Sequence, residues 1–353
     1  LASSAASDVY KRQKFHYARN YASTVAGFEE DAYSCKDWED IYVPAHIQME
    51  GYDVPQYANV QYPWEGHEEL HPGQIPERFN PVGSYVKYFH VPENMKGKRV
   101  FISFQGAESG LALWLNGTFV GYSEDSFTPS EFELTEYLKE GENKLAAQVF
   151  KWTASSWCED QDFFRFSGIY RDVYLYTVPE VHVYDLKIRA IPDETLKKAS
   201  LEIVTKTWGK GKLKLTLSRK GEILLQDEKA LDGEDTCTWE ILNPLLWSAE
   251  EPNLYDLDME VYDENGMLQE IIPEKVGFRR FEMKDGIMTL NGKRIVFKGV
   301  NRHEFSSVTG RHVSREELIQ DIVTMKQNNI NAIRTCHYPV SYTHLRAHET
   351  ELH

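Results

Sequence analysis

The sequence predicts a multidomain, mainly β protein, in which a jelly-roll β-sandwich and an immunoglobulin-like β-sandwich precede the start of a parallel α/β barrel. Short apolar runs alternate with turn signals over residues 99–152 and again over residues 179–281, which indicates two antiparallel sandwiches. A strand, helix, strand pattern follows Phe281 and indicates the beginning of a parallel sheet. At 353 residues, the chain is long enough for two or three separately packed domains.

The first sandwich, over residues 14–179, is predicted from short strands that flank a hairpin signal. The runs RVFISFQGA and LALWLNGTFVGYSE are rich in apolar and aromatic residues, and the second contains Asn116-Gly117. This dipeptide favours the left-handed backbone that a two-residue hairpin turn requires. Short strands joined in this way are typical of a jelly-roll sandwich.

The second sandwich, over residues 180–281, shows the alternation of half-buried strands. In the run KLKLTL, Leu213, Leu215 and Leu217 fall on one face, and polar residues fall on the other. About 100 residues of such strands fit an immunoglobulin-like domain. The four cysteines are too widely spaced for a zinc site or a small disulfide scaffold, so we expect reduced thiols.

The third region, over residues 282–339, changes from sandwich patterns to a βαβ pattern. Asn291-Gly292 predicts a tight turn, and residues 295–300 predict a buried strand. Ser314 and Glu317 form a capping box that opens a helix, whose apolar spacing continues through residue 325. Residues 330–335 then return to strand.

Polar clusters follow both predicted strands of this βαβ unit. NRHE occupies residues 301–304, and RTCHYP occupies residues 334–339. The carboxyl ends of barrel strands are where ligand groups gather. Each cluster could equally be a strand end satisfied by polar side chains, and this pattern alone leaves both interpretations open.

Both ends of the chain differ from the rest. Residues 1–13 have no helical or strand period, and residues 340–353 interrupt a pattern that was continuing. We expect both segments to be foreign to the fold, because they resemble translated adapter or vector sequence. The alternative for the tail is a His-rich metal-binding segment that uses His344 and His348.

Composition excludes several functions. The net charge of −16 is the wrong sign for binding nucleic acid. The sequence has no apolar run of about 18 residues and no apolar core of a signal peptide, so we expect no membrane span and a cytoplasmic location. The 20 tyrosines, 17 phenylalanines and 8 tryptophans suit β-rich cores, and they also offer flat faces on which sugars stack.

Seven motifs carry a family resemblance. Together they resemble the large bacterial β-galactosidases of glycoside hydrolase family 2, in the same order and spacing, over about residues 14–339. The motifs are NVQYPW (59–64), FNPVGSY (79–85), WLNGTFVGYSEDSFTPSEFELT (114–135), EDQDFFRFSGIYRDV (159–173), LWSAEEPNLY (246–255), LNGKRIVFKGVNRHEF (290–305) and MKQNNINAIRTCHYP (325–339).

The resemblance implies a sugar-binding jelly roll, an immunoglobulin-like domain and the truncated start of a TIM (β/α)8 barrel. It implies hydrolysis of terminal β-D-galactosides such as lactose with retention, by a homo-oligomeric enzyme. The acid/base and nucleophilic glutamates of the family lie further along the barrel, so we expect this chain alone to be inactive. No sequence feature supports Asp160, Asp162 or Glu304 as substitutes. The rival functions are β-glucuronidase, β-mannosidase and a non-catalytic carbohydrate-binding module.

The resemblance also implies a set of substrate-binding residues. Asn59, Asp162, His303 and His337 match residues that contact the galactose hydroxyls, and the two histidines match stabilisers of the transition state. Asp162 also matches a sodium ligand, and a carboxylate suits such a hard cation. Magnesium in the family binds near the acid/base glutamate, through residues that this chain does not contain.

Neighbouring residues receive weaker assignments. The side chain of Phe163 stands where the motif carries an aromatic residue or methionine, which favours packing over substrate contact. Arg302, Glu304 and Arg334 are either supports of the substrate-binding residues or salt-bridge partners in barrel packing. The sequence does not separate these two roles.

Overall fold

The structure is a computed structural model that describes residues 12–158, 162–336 and 338, apart from the side chain of Phe163. The described residues form 25 β-strands and one α-helix, in agreement with the predicted mainly β class. Among them, no helix has both the length and the apolar character needed to cross a membrane. Four short 3-10 helices cover Tyr21–Ser23, Glu93–Met95, Thr135–Tyr137 and Ala154–Trp157.

The first domain is a sandwich of a six-stranded and a three-stranded antiparallel sheet. The sheets have the orders β2-β1-β4-β10-β7-β8 and β13-β5-β9, and the apolar faces of both contribute to one buried core. Two short ribbons, β3-β11 and β6-β12, lie outside these sheets. The strands are β1 (Gln13–Ala18), β2 (Glu39–Ile41), β3 (Gln56–Ala58), β4 (Val82–His90), β5 (Val100–Phe104), β6 (Ala107–Glu108), β7 (Gly110–Leu115), β8 (Thr118–Ser123), β9 (Ser130–Glu133), β10 (Glu142–Phe150), β11 (Phe163–Arg165), β12 (Gly168–Ile169) and β13 (Val173–Thr177).

The predicted hairpin connects β7 and β8. Asn116 and Gly117 have φ values of 52° and 83°, the left-handed conformation that a two-residue turn needs. The pairing continues back to Leu111 and Ser123. The hairpin prediction is therefore confirmed.

The first domain begins at least one residue earlier than predicted. Gln13, assigned above to a foreign leader, is the first residue of β1; it is buried and pairs with Ile41. A lone polar residue carries no periodic signal, and its place in the sheet depends on a partner strand far along the chain.

The second domain packs a three-stranded sheet on a four-stranded sheet. The sheet orders are β14-β15-β18 and β17-β16-β19-β20. Leu213, Leu215 and Leu217 are all buried between the sheets, as the alternation predicts. The strands are β14 (His182–Pro192), β15 (Lys198–Trp208), β16 (Gly211–Arg219), β17 (Glu222–Leu231), β18 (Glu234–Leu242), β19 (Tyr255–Asp263) and β20 (Leu268–Val276).

The third region contains a small antiparallel sheet and one parallel βαβ unit. The sheet β21-β22-β23 precedes the parallel pair β24-β25. The elements are β21 (Phe281–Lys284), β22 (Ile287–Leu290), β23 (Lys293–Arg294), β24 (Gly299–Arg302), α1 (Arg315–Gln327) and β25 (Ala332–Thr335).

The prediction of a buried strand over residues 295–300 is wrong in extent and burial. The strand β24 starts at Gly299, and Val296 and Phe297 are about half exposed. An apolar run predicts burial only when neighbouring elements cover both of its faces, and among the described residues β24 pairs with β25 alone.

The helix α1 begins as the capping box predicts. The hydroxyl of Ser314 accepts from the backbone N–H of Glu317 at 3.2 Å, and a carboxylate oxygen of Glu317 accepts from the backbone N–H of Ser314 at 2.8 Å. The hydrogen bonds that this carboxylate accepts from the backbone N–H and the hydroxyl of Ser314 lower the pKa of Glu317. Leu318 and Ile322 bury the apolar face of the helix.

All four cysteines are described, and all four are free thiols, as predicted.

Candidate functional site

The ribbon β3-β11 brings two of the predicted residues together. Ala58 pairs with Phe163, and the ribbon is antiparallel, so the next residues, Asn59 and Asp162, lie opposite each other at its end. Both residues are exposed. Side chains that are 103 positions apart in the sequence therefore share one edge of the first domain.

Tyr57 is a neighbour of Asp162 that sequence reasoning missed. Its hydroxyl donates to Oδ1 of Asp162, and this hydrogen bond raises the pKa of Tyr57. The bond fixes the orientation of the carboxylate. No local signal indicates it, because the two residues lie 105 positions apart.

The end of β24 presents His303 away from the helix. The preceding side chain, that of Arg302, is buried and donates to Asp321 on α1 at 2.6 Å and 2.9 Å. Successive side chains of a strand point to opposite faces, and His303 is exposed. The ring centroid of His303 lies 6.2 Å from that of Tyr338.

His337 lies outside the described residues, as does Asp160. The residues on either side of His337 are described and are tied to the end of β24. The backbone N–H of Cys336 donates to the carbonyl of Arg302 at 3.1 Å, and the hydroxyl of Tyr338 donates to the carbonyl of Glu304 at 3.1 Å. The two polar clusters predicted from the sequence are therefore adjacent.

Of the three supporting residues, two form ion pairs. Arg302 binds Asp321 within the barrel unit, whereas Glu304 pairs with Arg171 of the first domain at 3.4 Å. Arg171 and Glu304 are both buried. Arg334 is exposed, and its Nη1 lies 3.7 Å from the sulfur of Cys336.

Aromatic side chains pack the two halves of the site together. Phe305, two residues after His303, stacks on Phe164 at 5.5 Å and on Phe166 at 6.2 Å between ring centroids. Tyr57 meets Phe164 edge-on at 5.5 Å. Rings at these separations make favourable contacts, so β11, which directly follows Asp162, is packed against the loop that carries His303.

The oxygen atoms at Asp162 and Tyr57 are of the chemical type that binds sodium. A carboxylate and a phenol hydroxyl are hard oxygen ligands, but together they supply only part of a sodium coordination shell. The part of the chain that the structure describes contains no cluster of three or more His, Cys, Asp or Glu side chains that could hold a metal ion.

Comparison with known families agrees with this geometry. The model of the sugar binding domain of glycosyl hydrolases family 2 matches residues 18–179. A second family 2 model matches residues 181–279, and the model of its TIM barrel domain matches residues 281–348. The chain belongs to glycosyl hydrolase family 2. The last match extends into residues 340–353, which lie outside the described residues and whose assignment as a foreign tail stays a prediction, as do the boundaries between the three domains.

Individual family 2 proteins resemble the chain over most of its length. A β-galactosidase of Halalkalibacterium halodurans is 53% identical over 340 residues, which cover 92% of this chain and 33% of that protein. The structure of a β-glycosidase from Bacteroides vulgatus matches with a TM-score of 0.76 at 26% identity, over 96% of this chain and 43% of that one. A β-glucuronidase from Bacteroides uniformis matches with a TM-score of 0.75 at 24% identity, over 96% and 41%. The chain spans about a third of the length of the Halalkalibacterium halodurans protein and of a 50% identical β-galactosidase from Streptococcus thermophilus.

Proposed function

We propose that this chain forms the sugar-binding domain, the immunoglobulin-like domain and the first barrel elements of a β-galactosidase. The enzyme would hydrolyse terminal β-D-galactose residues of substrates such as lactose, with retention. The observation that carries the proposal is the packing of the Asn59 and Asp162 ribbon against the loop of His303. The 53% identical relative, which is a β-galactosidase, supports galactose over glucuronic acid, because the β-glucuronidase likeness at 24% supports only the fold.

The described side chains would bind and orient the sugar. The carboxylate of Asp162 accepts from a sugar hydroxyl, the amide of Asn59 both donates and accepts, and the imidazole of His303 donates or accepts according to its tautomer. We propose the same role for His337. These bonds would tighten as the ring flattens towards the oxocarbenium-like transition state, which raises the rate and not only the affinity.

The proton transfers and the covalent step need a further pair of carboxyl groups. Retaining glycosidases place two such groups about 5–5.5 Å apart. Glu304 is buried in an ion pair with Arg171, and Asp162 is proposed here to bind the sugar and sodium, so neither carboxylate is assigned a catalytic role. We therefore propose that the acid/base and nucleophilic glutamates come from barrel segments that are not among these 353 residues.

We also propose that Asp162 contributes a carboxylate ligand to sodium, and that magnesium binds through residues outside this chain. In an active enzyme, Asp162→Asn would keep the side-chain shape but remove the charge, so both galactoside affinity and activation by sodium should fall. Sodium dependence that is unchanged in this variant would remove Asp162 from the ion site. We further propose that the enzyme is cytoplasmic and homo-oligomeric.

A chimera tests the proposed activity. Residues 14–339 of this chain would replace the matching third of the Halalkalibacterium halodurans β-galactosidase, which is 53% identical to it. We expect the chimera to hydrolyse a chromogenic β-galactoside and to show little turnover of the matching β-glucuronide and β-mannoside. A folded chimera that prefers either of those substrates would contradict the proposal. If the 353-residue chain alone bound galactosides as tightly as the chimera, and the chimera showed no hydrolysis, the binding-module interpretation would be favoured.

A further inference from the structure

A buried ion pair joins the first domain to the loop between β24 and α1. Nη1 of Arg311 lies 2.6 Å from Oε2 of Glu108, and the two side chains are 2% and 5% exposed. Glu108 lies in β6, 203 residues earlier in the chain. An uncompensated charge is costly in such a low-dielectric setting, so neither partner can leave without the other being destabilised. This contact therefore ties the loop to the first domain.

The same arginine also contacts β11, the strand that directly follows Asp162. Its Nη2 donates to the backbone carbonyl of Phe164, two residues beyond Asp162. Its backbone N–H donates to Nε2 of the buried His46 at 3.2 Å. The planar guanidinium presents its donors in a rigid fork. Its bonds to Glu108 and Phe164 therefore fix how far β6 and β11 lie from the loop.

The loop between His303 and Arg311 is itself rigid. Ser306 and Gly310 exchange two backbone hydrogen bonds, at 2.7 Å and 2.9 Å, which close a short turn. Gly310 has a φ of +68°, and a Cβ there would lie 2.8 Å from Cδ2 of His46. The turn is therefore held by its own hydrogen bonds and packs against His46, next to Arg311.

We propose that Arg311 is a positioning residue for the sugar site. It fixes the distance between β11, which directly follows Asp162, and the loop that carries His303, so that Asp162 and His303 can contact the same sugar. The substrate's identity rests on the function proposed above, whereas the positioning itself does not. Arg171 and Glu304 make a second, separate tie between the first domain and the residue after His303.

A distance measurement on the 353-residue chain tests the positioning directly. Spin labels would be placed on cysteines introduced at Val60 and Val308, which are 89% and 74% exposed, and the exposed Cys158 would be replaced by serine. Val60 reports on the ribbon β3-β11, and Val308 reports on the loop. Double electron–electron resonance should give a narrow distance distribution, which broadens or shifts in Arg311→Met.

The control is a buried ion pair that does not reach the loop. Lys151 and Asp53 lie 2.7 Å apart with side chains 1% and 5% exposed, and both belong to the first domain. Lys151→Met should lower the melting temperature but leave the distance distribution unchanged. Should Arg311→Met fail to fold, Arg311→Lys keeps the charge beside Glu108 but loses the fork, and it should broaden the distribution less. A folded Arg311 variant with the original distribution would overturn the proposal.

Kinetics of the chimera separate this inference from the proposed function. At a temperature where all variants are folded, Arg311→Met should lower kcat/KM about 10- to 100-fold, and Lys151→Met less than about twofold. Equal losses in the two variants would reduce Arg311 to a purely structural role. A chimera without galactosidase activity would refute the proposed function, while the distance measurement would still decide the positioning.

Discussion

His46 shows how a single residue can link the folding of the first domain to pH. Its ring is fully buried between Phe166 and Tyr170, with centroids 4.3 Å and 4.8 Å away, and its Nε2 accepts from the backbone N–H of Arg311. Burial, together with the charges of Arg311 and His312, holds the pKa of His46 well below its ordinary value. The folded protein therefore requires neutral His46.

We predict that His46 weakens the fold as pH falls below about 6.5. Above that pH the ring is neutral in both states and the stability is fully present; below it only the unfolded state takes up the proton. The free energy of unfolding should fall by up to about 1.4 kcal/mol per pH unit from this group. Urea unfolding from pH 7.5 to 5.0 measures it, with His46→Gln as the control. A difference between the two proteins that stays constant with pH would contradict the prediction.

His303 supports a prediction about the rate of the proposed reaction. The loss of a hydrogen bond worth about 2–4 kcal/mol in the transition state corresponds to a fall in kcat of about 30- to 1,000-fold. Steady-state kinetics of His303→Phe in the active chimera, and of His337→Phe beside it, measure this fall. Inhibition by a planar galactonolactone should weaken more than inhibition by a simple galactoside. Proportional losses for both inhibitors would make the histidines ground-state binding groups.

At the scale of elements, one lysine organises a loop of the first domain. Lys144 on β10 is buried, and its ammonium donates to the backbone carbonyls of Phe28, Glu30 and Tyr33, each at 2.6 Å. Burial lowers the pKa of this ammonium. Three backbone carbonyls of the loop therefore share one donor, the Lys144 ammonium on β10.

We predict that Lys144→Met lowers the free energy of unfolding by about 2–4 kcal/mol, because the buried carbonyl of Phe28 and the partly buried carbonyls of Glu30 and Tyr33 lose their donor. Lys139→Met is the matched control: Lys139 pairs with Asp31 at 2.6 Å on the same loop, but both side chains are about half exposed. Its loss should cost less than about 1 kcal/mol. Chemical denaturation of both variants decides the matter, and equal effects would show that the three carbonyls do not depend on Lys144.

At the scale of the whole molecule, the residues proposed to bind the sugar lie within this chain, whereas the carboxyls proposed for catalysis do not. The residues proposed to bind the sugar come from the first domain and from the barrel start. The proposed catalytic carboxyls come from neither. Two buried ion pairs, Arg311 with Glu108 and Arg171 with Glu304, join the two parts.

We therefore predict that the 353-residue chain alone does not hydrolyse β-galactosides. A chromogenic assay at high protein concentration, set against a mock preparation, measures this. Turnover above the mock level that disappears in Asp162→Asn or Glu304→Gln would show that a catalytic carboxyl pair lies within this chain after all.

Local chemistry was sufficient to predict much of the fold. Asn116-Gly117 predicts its hairpin because few other pairs adopt two consecutive left-handed residues, and Ser314 with Glu317 predicts the start of α1 because both capping bonds are local. The alternation of Leu213, Leu215 and Leu217 predicts a buried face because successive side chains of a strand point to opposite faces of the sheet.

Contacts between distant segments could not be predicted in this way. The burial of Gln13, the exposure of Val296 and the hydrogen bond from Tyr57 to Asp162 each depend on a partner that local sequence does not specify. The motifs around Asn59, Asp162 and His303 allowed those residues to be named, but neither their packing nor the supporting Arg311.

The sequence by itself determined the three-part architecture, the hairpins, the helix cap and the family, because these follow from residue periodicity, turn chemistry and extended motifs. Only the tertiary structure decided which segments meet: the ribbon that places Asn59 opposite Asp162, the stacking of Phe305 on Phe164, and the buried pair of Arg311 and Glu108. The physical reason is that burial and ion pairing depend on what the fold brings within a few ångströms, across separations of 100 to 200 residues that carry no local signal.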